Sequence, residues 1–152
     1  MTARLENPTA LMPDTPKAVN ILYKSAHSAG LDPMILELVH LRASQINGCG
    51  PCVDAGARAM RQQGQSDDRM FAVAVWRETP YFTEPERAAL ALAESATRLA
   101  DRADAVSDDV WNEAAKHFDE KQLAAIVLWI ATTNFFNRIN VTTRQQAPQN
   151  WG

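Results

Sequence analysis

Apolar residues recur along the chain at three- and four-residue spacing, and no convincing alternating run bounded by turn residues interrupts them, so the pattern predicts an all-α fold. After a leader over about 1–16, punctuated by Pro8, Pro13 and Pro16, a first helix is expected from about Lys17 to Ser28, ending at Gly30. Pro33 suits the first turn of a second helix, where its missing N–H costs nothing, and Gly48 is a natural stop. A third helix is expected to start inside the CGPC segment, with Pro51 in its first turn, and to end near Gly64. Ser66 followed by two aspartates opens a helix through about Arg77, and Thr83-Glu84-Pro85-Glu86 has the form of a capping box before a helix to about Ala100. Ser107 opens a short helix and Asp119 a last long one, which a tail follows over about 143–152.

Within the last helix, Leu123 to Ala131 reads LAAIVLWIA, apolar on every face. Such a helix is expected to be buried all round, at the centre of a bundle or between subunits. Trp76, Trp111, Trp129, Phe135 and Phe136 read as core or interface residues.

A length of 152 residues suits one domain, taken as 1–152. A net charge of -3 offers no basic field for phosphate backbones, so nucleic acid is a poor partner. The N-terminus lacks the basic-then-apolar pattern of a secretory signal, and no apolar run reaches the roughly 20 residues that a membrane span needs. A soluble cytoplasmic protein is the expectation.

The chain has two cysteines, both in INGCGPCVDAG over 46–56. A free thiol, with a pKa near about 8.5, holds little thiolate at neutral pH, and the thiolate is the nucleophile. If Pro51 lies in the first turn of a helix, Cys49 sits near its N-cap and Cys52 about one turn in, where unpaired N–H groups and the helix dipole favour ionised sulfur. The pair also fits two half-buried structural cysteines, or half of a zinc site, although only three histidines are present and no second CxxC. Thioredoxin carries the same four letters after a β-strand. Here the preceding segment, Pro33 to Asn47, is an amphipathic helix with Ile35, Leu38, Val39 and Ile46 on one side and Glu37, His40 and Ser44 on another.

ELVHLRASQINGCGPCVDAGAR, residues 37–58, resembles the alkylhydroperoxidase D-like branch of the carboxymuconolactone decarboxylase family, as do YFTEPERAALALAE over 81–94 and NFFNRINV over 134–141. Redox members of that branch place a glutamate twelve positions before the first cysteine of a CxxC pair and a histidine four positions after the second. Glu37, Cys49 and Cys52 match. The resemblance implies an all-helical fold, a homo-oligomer (dimer, trimer or hexamer) and a cofactor-free dithiol peroxidase or disulfide reductase. It also implies a proton relay through the glutamate and histidine, and an external dithiol or lipoylated protein as reductant.

Gly56 stands where the redox members have histidine. In an antiparallel hairpin turning near Gly48 and Cys49, the residue eight before Gly48 faces the one eight after it, which pairs His40 with Gly56. His40 also lies three residues from Glu37 on one helical face, so His40 is the candidate replacement in a relay from Cys52 to Glu37. It fits a surface or interface histidine equally well. The catalytic set expected is therefore Cys49, Cys52, Glu37 and His40, with no metal or cofactor motif. Cys52 would attack a hydroperoxide and Cys49 would close the disulfide. Cys49 is expected to be the more exposed sulfur. Ser44 either lines the same pocket or caps a polar face, Asp54 and Arg58 face solvent, and His27 and His117 are structural. Two rival readings remain: a dithiol oxidoreductase or redox sensor, and a non-catalytic oligomeric binding protein.

Overall fold

A computed structural model describes residues 2–149; the expectations for Met1 and for the last three residues of the tail lie outside the described residues. The described chain is helical, with no strand: α1 (Pro8–Leu11), α2 (Thr15–His27), α3 (Pro33–Asn47), α4 (Gly50–Gln62), α5 (Asp67–Ala72), a 3-10 segment (Val73–Glu78), α6 (Glu84–Thr97), α7 (Asp108–His117) and α8 (Glu120–Thr143). Capping residues set most boundaries. Asp32, Ser66, Ser107 and Asp119 each accept a hydrogen bond from a first-turn N–H, and Thr83 with Glu86 forms the expected capping box.

Three boundaries differ from expectation. The leader contains α1, whose N-cap Asn7 accepts from Thr9 N. The helix expected over 66–77 tightens after Ala72 and breaks its helical angles at Val75 (φ -129°, ψ 35°), a turn that brings both Trp76 and Arg77 onto Glu94 of α6. α6 ends at Thr97 rather than Ala100, and Thr97 Oγ1 accepts from Asn134 of α8.

The helix buried on two sides is α3. Ile35, Leu36 and Val39 join a core with α6, α7 and α8 around Leu92, Phe118 and Ile126. Met34, Leu38 and Leu41 join a second core with Met60, Val73 and Leu90. The expectation that Ile35, Leu38 and Val39 share one apolar side is thus corrected, because two cores meet across α3. For α8, the setting at the centre of a bundle is corrected, and burial between subunits stays as the alternative. Ile126, Trp129 and Ile130 are buried, but Val127 and Phe135 are exposed at 40% and 41%, and Trp111 of α7 at 41%. Apolar composition all round has left one face open in the single chain. Among the described residues no helix is long and apolar enough to cross a membrane.

Candidate active site

α3 ends where Gly48 adopts the left-handed conformation (φ 66°), a position at which a side chain would be strained. The chain then turns straight into α4. Cys49 is the N-cap with extended backbone angles, Pro51 occupies the first turn, and Val53 N donates to Cys49 O at 2.9 Å. Cys52 follows one turn in, as the helix-start reading requires. The two cysteines form a disulfide with their Cα atoms 5.3 Å apart, within the ordinary range for such a bridge.

The expected order of exposure is reversed. Cys49 is fully buried and Cys52 is 6% exposed. The turn contributes to this: Cys49 N donates to Ser44 O at 3.0 Å, which folds the N-cap residue inward against α3, and Cys52, one turn on, borders a cavity.

That cavity, of about 280 Å³, is lined by His40 of α3, Cys52 and Ala55 of α4, and Trp129, Phe136 and Asn140 of α8. Trp129 is held in place by its Nε1, which donates to Leu36 O at 3.0 Å. His40 Nδ1 lies 3.5 Å from the point that a β-carbon on Gly56 would occupy, so the hairpin pairing read from the sequence holds as geometry. The same nitrogen is 3.9 Å from Glu37 Oε2, an electrostatic contact longer than a hydrogen bond, with both side chains mostly buried. The structure therefore brings Cys52, His40 and Glu37 to one place, with Cys49 behind them. On the other side of the disulfide, Cys49, Gly48, Asn140 and Arg144 line a second cavity of about 480 Å³.

Other candidates fall elsewhere. Ser44 is fully buried, and its hydroxyl accepts from Asn137 Nδ2 at 3.1 Å, so it braces α8 rather than lining the Cys52 cavity. Asp54 and Arg58 pair at 3.4 Å on the outside of α4. His27 stacks on Tyr23 and meets the edge of Trp129, and His117 contacts Glu113 at 3.3 Å.

Sequence reasoning missed an asparagine ladder. Asn134, Asn137 and Asn140 recur every three residues along α8, a repeated amide at helical spacing beyond its apolar run. Asn47 Nδ2, at the end of α3, donates to Asn134 Oδ1 and Asn137 Oδ1, each at 2.8 Å. Asn140 Nδ2 then reaches the sulfurs, at 3.3 Å from Cys52 and 3.7 Å from Cys49. The first two rungs fix α3 against α8 and so fix the hairpin; the third touches both sulfurs.

The profile of the carboxymuconolactone decarboxylase family matches residues 13–95. The chain belongs to the carboxymuconolactone decarboxylase family. A solved structure of an Agrobacterium tumefaciens protein of unknown function, described as a candidate antioxidant defence protein AhpD, is similar over 98% of this chain and 100% of its own, at 35% identity and a TM-score of 0.89. The alkyl hydroperoxide reductase AhpD of Acidobacterium capsulatum is 42% identical over 43 residues, which are 28% of this chain and 24% of that protein. Together these place the chain in the AhpD-like branch of the carboxymuconolactone decarboxylase family. The debrominase Bmp8, solved in complex with 2,3,4-tribromopyrrole, shares the fold at 22% identity and a TM-score of 0.78, over 93% of this chain and 74% of its own. The fold thus hosts more than one chemistry. Membership of this family and the CxxC pair support an antioxidant or peroxidase-related role for an enzyme of the superfamily.

Proposed function

We propose that the protein reduces hydroperoxides through a Cys49–Cys52 dithiol cycle, with His40 in place of the histidine that the family's redox members carry at the Gly56 position. The observation that carries this reading is the cavity in which Cys52 and His40 meet, with Glu37 beside the imidazole. In the reduced enzyme, His40 takes the Cys52 proton, directly or through a water, and the Glu37 carboxylate stabilises the imidazolium. The Cys52 thiolate attacks the terminal peroxide oxygen. The O–O bond breaks, an S–O bond forms, and the alkoxide leaves as the alcohol with the proton from His40. Cys49 then attacks the sulfenic acid, releasing water and forming the disulfide, which an external dithiol or a lipoylated protein reduces by exchange.

Exposed apolar residues on α2 (Ile21, Tyr23) and α8 (Val127, Phe135) support assembly as a homo-oligomer. A second reading, a dithiol oxidoreductase or redox sensor with little peroxidase activity, draws on the 3.9 Å gap between His40 and Glu37.

Titrating the reduced protein with stoichiometric cumene hydroperoxide tests the proposal. Two thiols should disappear per peroxide with formation of one alcohol. Thiols that react with a disulfide substrate but not with peroxide support the second reading, and thiols inert to both support a non-catalytic protein.

A further inference from the structure

The geometry points to Asn140 as the residue that stabilises the cysteine thiolate, and to Asn7, in the N-terminal segment, as the positioning residue that turns the Asn140 amide toward the sulfurs. This rests on the dithiol reading of the site but not on a peroxide as its oxidant.

An amide side chain has a donating and an accepting end, and only the donating end favours a thiolate. Which end faces the sulfurs is decided by what holds the other. Asn7 Oδ1 accepts from Thr9 N at 2.9 Å and from Thr9 Oγ1 at 2.7 Å, which commits that oxygen as the cap of α1 and leaves Asn7 Nδ2 as the outward group. Asn7 Nδ2 donates to Asn140 Oδ1 at 3.4 Å. Asn140 Nδ2 is thereby directed at Cys52 Sγ and Cys49 Sγ. Turning the Asn140 amide over would set its donor against the Asn7 donor and its carbonyl oxygen against the sulfurs, so both contacts favour one orientation. The N-terminal segment is itself fixed to the end of α8, since Arg4 N donates to Thr143 O at 2.9 Å and Gln145 Nε2 donates to Leu5 O at 3.0 Å.

Asn140 lines both cavities, one on each side of the disulfide, so its amide stands beside whichever sulfur carries the charge after reduction. Charged and titratable groups approach the pair from each element packed on it: His40 and Glu37 from α3, Arg144 from the end of α8, and Asp54 two residues along α4, paired with Arg58. None of these is altered by substitutions at Asn7 or Asn140. A change in thiol acidity in such variants therefore reports the amide.

The test is the rate of iodoacetamide alkylation of the reduced full-length protein, measured from pH 5 to 10, with circular dichroism as the check on folding. Asn140→Leu keeps the bulk, removes the donor and adds no charge; the midpoint should move to higher pH and the rate at pH 7 should fall about tenfold. Asn7→Ala frees the Asn140 amide and should give a smaller fall. Asn7→Ser still caps α1 and adds no charge, yet offers no amide donor to Asn140 Oδ1. Its loss should match that of Asn7→Ala. A merely structural role, as the cap of α1, predicts Asn7→Ser close to wild type. That result, or an Asn140→Leu variant with the wild-type profile, overturns the inference. The assay contains no peroxide, so a protein that alkylates as expected but leaves hydroperoxide untouched sinks the proposed peroxidase and keeps this assignment.

Discussion

His40 Nδ1 sits 3.5 Å from where a β-carbon on Gly56 would stand, across the α3–α4 hairpin. The imidazole occupies, from α3, the space that a side chain on α4 would otherwise enter. One substitution removes it, and a second can return an imidazole from the other helix. His40→Ala is expected to slow peroxide-dependent thiol oxidation by about 100-fold, the scale of a lost general base. The double variant His40→Ala with Gly56→His should recover part of that loss, and Glu37→Gln should lower the rate in wild type with little change in KM for the peroxide. Equal rates for wild type and His40→Ala across the pH range would remove His40 from the mechanism.

The space at Gly56 sets a limit on what the position accepts. A β-carbon there would meet His40 Nδ1 and Leu41 Cβ and Cδ1, each at 3.5 Å, which is ordinary van der Waals contact. Because alanine is better than glycine within a helix by about 1 kcal/mol, Gly56→Ala should be neutral or stabilising by up to that amount. Gly56→Leu must displace His40 and Leu41 and should cost about 1–3 kcal/mol. Urea unfolding of both variants checks the sign, and a destabilised alanine variant would mean that the hairpin is packed more tightly than these distances indicate.

Much of this arrangement is legible in the sequence. The hairpin can be read because Gly48 and Pro51 bracket a stop and a start, and counting eight residues outward then pairs His40 with Gly56. What the sequence concealed was directional. Glycine at 48 permits the turn but does not say that the Cys49 N–H will bond Ser44 O and bury the first sulfur, which reversed the expected exposure of the two cysteines. The apolar run in α8 could not reveal its open face, since periodicity disappears when every position is apolar. Asn134, Asn137 and Asn140 do carry a signal, the three-residue spacing of amide side chains in that helix, but spacing alone does not show that the third amide meets the sulfurs rather than α3.

Asn137 separates the structural rungs of the ladder from the chemical one. It is 1% exposed, accepts from Asn47 Nδ2 and donates to Ser44 Oγ. Asn137→Ala takes the donor from the buried Ser44 hydroxyl and one of two acceptors from Asn47, and should cost about 1–3 kcal/mol of stability. The pH profile of thiol alkylation should stay at its wild-type position, because Asn140 keeps its contacts. A shifted profile with unchanged stability would assign the sulfur chemistry to the wrong rung.

Glu94 of α6 is the ionic pin beneath the same hairpin. It is 5% exposed and accepts from Arg42 of α3, from Trp76 Nε1 at 3.1 Å and from Arg77. Burial alone pushes its carboxyl up, but the hydrogen bonds from Arg77, Arg42 and Trp76, with the charge of Arg42, outweigh burial and hold it below its ordinary value of 4.5. As pH falls, the unfolded chain takes up this proton before the folded protein does. The stabilisation is therefore complete above 4.5 and is lost as pH falls through the lower native value. Glu94→Gln leaves Arg42 without its counter-charge and should cost about 3 kcal/mol at pH 7. Because the substitution also removes the titrating group, the difference in urea midpoint between the variant and wild type should shrink as pH is lowered from 5 to 3. A gap of constant size over that range would mean that acid loss of stability resides in other carboxylates.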